Sequence, residues 1–94
     1  MFIILLRFSD NRDQAADHME GHRSWLKKGF DDGVFLLAGS LPEVGGGVLA
    51  RGETREAITA RVDQDPFVTA NVVTAEILAM DPARADDRLS FLLS

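Results

Sequence analysis

The sequence predicts an α+β domain built in the order β-α-β-β-α-β, with two helices on one face of a four-stranded antiparallel sheet. Three observations predict it. Runs that are apolar on both alternating faces flank one long stretch with helical spacing. A Pro and a Gly run then separate two further apolar runs. A shorter helical stretch closes on Asp-Pro just before a last segment rich in Val, Thr and Ile. The 94 residues suffice for one core and not for two independent ones, so the whole chain, 1–94, is read as one domain. An apolar fraction of 46% and a mean hydropathy near zero are those of a folding globular chain.

Phe2 to Phe8 is a run of Phe, Ile and Leu broken only by Arg7, which suits a strand buried on both sides. Ser9, Asp10 and Asn11 offer N-cap oxygens. From Arg12 the spacing changes, and Ala15, Met19, His22, Leu26 and Phe30 form one helical stripe. Asp31, Asp32 and Gly33 end that helix, the glycine supplying the left-handed conformation of a C-cap. Val34 to Ser40 reads as the second strand, stopped by Leu41 and Pro42. Gly45, Gly46 and Gly47 lead as a loose hairpin loop into Val48, Leu49, Ala50 and Arg51. Glu53 to Asp63 carries Ala57, Ile58, Arg61 and Val62 at helical spacing. Asp65 and Pro66 break it, and Asp65-Pro66-Phe67 opens one further helical turn, because proline fits the first helical position and aspartate the cap before it. Asn71 to Met80 is the fourth strand.

Helices on one face leave the other face of the sheet to solvent. Ile3, Leu5, Phe35, Leu37 and their alternates leave neither face polar. An exposed apolar face of several hundred Å2 is what a partner covers, so the sheet is expected to pack face to face in a homodimer, with the tail Leu89, Phe91, Leu92 and Leu93 reaching toward the second copy.

Ten Lys and Arg against fifteen Asp and Glu, a formal net charge of -5, argue against a nucleic-acid partner, since a phosphate backbone would be repelled. The adjacent pair Lys27 and Lys28 reads as a solvated helix face. The absence of cysteine excludes disulfides, zinc-thiolate sites and thiol nucleophiles. Met1 to Phe8 lacks a basic segment before it and a small-residue cleavage site after it, so it reads as a strand and not as a signal peptide. No apolar run approaches the roughly 18 residues of a membrane span, and the expected location is the cytoplasm, with no membrane partner.

His22 is the most informative position. It stands inside the apolar stripe between Met19 and Leu26, so its ring points toward the sheet, where it serves either as a general acid or base at a helix-sheet cleft or as a satisfied core histidine. His18 lies one turn earlier, at the stripe's edge among Asp17 and Glu20, and is read as a rim residue. A metal shared by the two histidines is not expected, because no H-E-x-x-H pattern accompanies them. Asp65 either caps the helical turn after it or orients His22 by accepting from a ring nitrogen. Asp31 and Asp32 are alternative partners for the same ring. Trp25 and Phe67 are candidates to line a pocket for a flat apolar ligand, or else are simply packed. Gly45 to Gly47 lack the Lys-Ser or Lys-Thr of a phosphate-binding loop, and Ser24 and Ser40 have no arrangement that would make either a nucleophile.

The stretch His22-Arg23-Ser24-Trp25-Leu26, followed by Asp31-Asp32-Gly33-Val34-Phe35-Leu36-Leu37-Ala38-Gly39-Ser40-Leu41-Pro42, resembles the YCII-related (YciI-like) family. Asp63-Gln64-Asp65-Pro66-Phe67-Val68 resembles the Asp-Pro-aromatic signature of the same family. The likeness runs over nearly the whole chain. It implies a ferredoxin-like domain that pairs as a dimeric α/β barrel, and a small cleft holding a His-Asp pair, whose histidine falls on His22 and whose aspartate falls on Asp65. It further implies cofactor-independent proton transfer or elimination on a small cyclic molecule, chemistry of the lyase or isomerase type with no cofactor. The Gly45–Gly47 loop is shorter than in many members. The alternative is a non-catalytic dimer that binds a small molecule in the cleft, with His22 only satisfying a buried polar contact.

Overall fold

Phe2–Phe8 forms strand β1, and helix α1 spans Ala15–Asp31, entered through a 3-10 turn at Arg12–Gln14. Strands β2 (Phe35–Leu41) and β3 (Gly45–Ala50) make the hairpin. Helix α2 covers Arg55–Val62, α3 is the single turn Pro66–Thr69, and β4 is Val73–Ala79. This computed structural model describes residues 1–94. Each expected element is present with its ends shifted by up to three residues. The strands lie in the order β2-β3-β1-β4, every neighbour antiparallel. The most apolar run in the sequence, β1, is thus flanked by strands on both sides, and the arrangement is the ferredoxin-like α+β fold.

Register decides which side chains meet the helices. Phe2 faces Ala50, Ile4 faces Val48 and Leu6 faces Gly46 across the β1–β3 ladder, and opposed residues share a face. Ile4, Leu6, Val48 and Ala50 are buried against Trp25, Ile58, Val62 and Phe67 of the helical layer. On the other face, Leu37, Leu49, Ile3 and Leu78 stand opposite one another in a rung that crosses all four strands. The expectation of a second apolar face therefore holds, with one correction. Phe35 does not share a face with Leu37, because the register shifts between them. The irregularity inverts the alternation, so that Phe35 is sealed under the helices at 2% exposure while Leu37 is 61% exposed.

Two local expectations are overturned. Ser9, Asp10 and Asn11 do not cap the first helix: the 3-10 entry satisfies its amides from the backbone, with the N–H of Arg12 donating to Ser9 O and that of Gln14 to Asn11 O. The Asn11 side chain instead donates to Ala70 O at 3.1 Å, tying the start of α1 to the turn before β4. The three glycines are not the hairpin loop. The turn lies at Leu41–Val44, where the N–H of Val44 donates to Leu41 O at 2.9 Å and Glu43 takes a φ of 69°. Gly45, Gly46 and Gly47 are strand residues paired with β1 on one side and β2 on the other. At Gly45, with a φ of 146°, a Cβ would collide with Leu6 O, so no other residue fits.

The predicted caps Gly33 and Asp65 are present, and Thr54 adds another. Gly33 has a φ of 73° after α1; the Thr54 side chain accepts from the N–H of Ala57 to start α2; and Asp65 opens α3, with Pro66 at its first position. The tail forms 3-10 turns over Asp87–Leu93 and is held where Arg51 Nη1 donates to Phe91 O at 2.7 Å, leaving Leu89, Phe91 and Leu93 exposed. No helix is long and apolar enough to cross a membrane.

Candidate active site

The site begins with how closely two helices approach. A Cβ on Gly21 would lie 2.9 Å from Pro66 Cγ, so the bare glycine lets α3 press against α1 beside His22. Pro66 fixes the first residue of that turn, and Asp65, extended just before it (φ -64°, ψ 122°), turns its carboxylate back over the helix start. Asp65 Oδ1 accepts from the N–H of Phe67 at 2.9 Å and lies 2.8 Å from His22 Nδ1. The Phe67 ring stacks on the imidazole, with centroids 4.0 Å apart and planes 4° from parallel.

Asp65 is wholly buried, and its second oxygen, Oδ2, is sealed from solvent without a partner. A carboxylate in such a place costs several kcal/mol unless it is paired, so the imidazole and the Phe67 amide are what hold it there. With Asp65 accepting, Nδ1 of His22 carries the hydrogen and Nε2 keeps the lone pair. Nε2 has no partner within the chain and is not among the sealed polar atoms. The ring is therefore fixed from behind and open in front.

In front lies a cleft of about 420 Å3, within the range of about 300–1,000 Å3 usual for small-molecule sites. Met19, His22, Arg23 and Leu26 of α1 form one wall, Phe67 closes the end, and the floor is the inner face of the β2–β3 hairpin, where Ala38, Ser40 and Gly46 leave it low. Of the residues singled out in the sequence, His22 and Phe67 line this cleft and Asp65 stands behind His22. His18, half-buried on α1, is not among the lining residues. Nor is Trp25, which is buried edge-on against Phe35 at 5.0 Å while its Nε1 donates to Arg61 O at 2.8 Å.

Asp31 and Asp32 are taken up elsewhere. Lys27 Nζ donates to Asp31 at 2.7 Å. Asp32 accepts from Arg61 at 3.0 Å and from Lys28 at 3.3 Å, and the hydrogen bond from Arg61, then that from Lys28, hold its carboxyl below the ordinary value of 3.8. Neither aspartate reaches His22, which leaves Asp65 as its partner. No cluster of three or more His, Asp or Glu side chains is placed to hold a metal ion.

Arg23, Met19 and the small residues of the floor were not anticipated as site residues. The signal for the floor was present, because Ala38-Gly39-Ser40 and Gly45-Gly46-Gly47 lie on either side of one turn, and such a hairpin pairs its small residues directly.

A solved structure of 5-chloro-2-hydroxyhydroquinone dehydrochlorinase from Burkholderia phenoliruptrix, in complex with 2,5-dihydroxybenzoquinone, has the same fold. It superposes with a TM-score of 0.67 at 14% identity, covering 85% of this chain and 93% of that one. No curated protein matches the sequence. The model of the YCII-related domain matches residues 1–81, which contain the whole sheet and all three α-helices, and the chain belongs to that family.

Proposed function

We propose that this protein is a small enzyme that moves a proton on a small cyclic molecule, with His22 as general acid or base and Asp65 as the group that orients it. The observation that carries the reading is the imidazole held by a fully buried carboxylate at 2.8 Å while its other nitrogen is left open at a cleft. Nε2 takes a proton from a C–H or O–H group of a ring lying on the hairpin floor. Asp65 holds the tautomer and offsets the charge of the imidazolium that forms, and return of the proton, or loss of a leaving group, completes a lyase or isomerase reaction without a cofactor. The same-fold dehydrochlorinase crystallised with a dihydroxybenzoquinone supports a small ring as the substrate class. The enzyme works in the cytoplasm as a homodimer; the aliphatic rung Leu37, Leu49, Ile3 and Leu78 supports the pairing through this face.

The test is a panel of substituted hydroquinones and related rings, scored by thermal shift and then for conversion. His22→Ala is expected to lower turnover of any substrate by about 100- to 10,000-fold while the protein still folds; full activity in the variant overturns the reading. A second reading is favoured by one observation. Asp65 Oδ1 also caps α3 through the Phe67 amide, a role that accounts for the aspartate without chemistry. The protein would then be a binding module, and it predicts hits that stabilise the fold and are never converted.

A further inference from the structure

The charge of the cleft narrows the substrate class, a step that rests on the cleft being the ligand site. The chain carries a net charge of -5, yet none of the residues lining the cleft is an Asp or Glu, and its one permanent charge is Arg23. That guanidinium is exposed and makes no ion pair and no hydrogen bond within the chain; Arg7, Arg51, Arg55, Arg61 and Arg88 each hold a carboxylate or a carbonyl, and Arg12 and Arg84, which are also unpaired, do not line the cleft. Arg23 sits one residue after His22, on the wall shared by the cleft and an outer groove along α1. An unpaired arginine lining the same cleft as the open imidazole is a ready partner for an oxyanion, since guanidinium donors bind carboxylate or enolate oxygens by charge-assisted hydrogen bonds.

The floor supplies the shape. Gly46 faces Leu6 on β1 and Ser40 on β2, so its missing side chain points to the helix side. A Cβ there would approach only Gly39 O, at 3.4 Å, and its backbone is not in a conformation reserved for glycine. Any larger residue would therefore stand up into the cleft. We infer that the cleft takes a flat, negatively charged ring, a carboxylate- or enolate-bearing cyclic molecule, with Arg23 as its charge partner and Gly46 as the position that leaves it room.

The experiment is isothermal titration of the whole chain with 4-hydroxybenzoate and with the neutral 4-hydroxybenzamide, at low and at raised salt, repeated on Arg23→Gln, Arg23→Lys and Gly46→Leu. The wild type is expected to bind the anion about tenfold more tightly, the worth of one hydrogen bond to a charged group, and to lose part of that preference as salt screens it. Arg23→Gln should abolish the preference and Arg23→Lys restore some of it. Gly46→Leu should weaken both ligands together, with Gly46→Ala intermediate and the amide spectrum of each variant still that of the folded protein. Equal binding of the two compounds by the wild type overturns the anionic substrate class and leaves the cleft as a ring site. Binding of neither at millimolar concentration, or undiminished binding in Gly46→Leu, overturns both.

Discussion

The two ends of the layer between α1 and the sheet are made from the same helix and the same hairpin, yet one is filled and the other hollow. At the C-terminal end of α1, Gly29 brings the helix so near that a Cβ would strike the Phe35 ring. Trp25, Phe35, Ile58 and Val62 close that end completely. At the other end Met19, His22 and Leu26 stand over Ala38, Ser40 and Gly46. The difference lies in the strand: β3 presents Ala50 beneath the filled part and Gly46 beneath the hollow, with Val48 between them at the cleft's edge. Packing is thus concentrated at one end and the candidate site at the other. Interiors pack densely as a rule, so a hollow floored by small residues is what a binding site requires.

Substitutions at the two ends should separate those roles. The largest expected effect is on activity: Asp65→Asn keeps an oxygen to cap α3, since asparagine caps as well as aspartate, but removes the charge that orients His22. Turnover of any substrate should fall by as much as about 10,000-fold, with a change in stability of no more than about 2 kcal/mol. Nitrogen chemical shifts of the His22 ring should show the Nδ1–H tautomer weakened. An active Asp65→Asn protein with an unaltered ring would break the comparison at its hollow end.

At the filled end, Trp25→Ala should cost about 3–5 kcal/mol in denaturant unfolding, whereas Met19→Ala, beside the hollow, should cost only about 1 kcal/mol. Similar losses would mean that the two ends are packed alike. Between these two stands Gly21→Ala, which crowds Pro66 and should cost about 1–3 kcal/mol through overpacking. Its sharper effect should be on activity, because the shift it forces on α3 carries Asp65 and Phe67 away from His22.

The smallest effect belongs to the surface bridge at the far end of α1. Asp32 is titrated below its ordinary value by Arg61 and then Lys28, so its contribution is present above the unfolded value of 3.8 and is lost as pH falls through the lower folded one. The stability gap between the wild type and Asp32→Asn should therefore be constant near neutrality and close only below about pH 3.8.

Most of this architecture was legible because local signals were strong where they were needed. The double-faced apolar run of β1, the stripe through Met19, His22 and Leu26, the Gly33 cap and the Asp65-Pro66 turn each have one dominant conformational meaning. The site's two central residues were legible for the same reason, His22 from its place in an apolar stripe and Asp65 from its place before Pro66 and in the family signature. What was not legible depends on register. Gly45 to Gly47 carry a turn signal by composition, and only the competing turn at Pro42 and Glu43 places them inside the ladder. The alternation that would group Phe35 with Leu37 is broken by an irregularity that has no side-chain signature. Trp25 and His18 lie beside His22 on the helix surface, and a rotation of α1 by a fraction of a turn decides which of the three meets the cleft.

The sharing of one oxygen between the Phe67 amide and His22 Nδ1 has a kinetic corollary. The amide can exchange its hydrogen with solvent only when the turn at Pro66–Thr69 opens, and that same event releases the carboxylate from the imidazole. The exchange rate of a single backbone proton thus reports how often the dyad comes apart, and it does so with no substrate in hand. A ligand that clamps the ring in place should slow that proton even if it never touches Phe67's backbone.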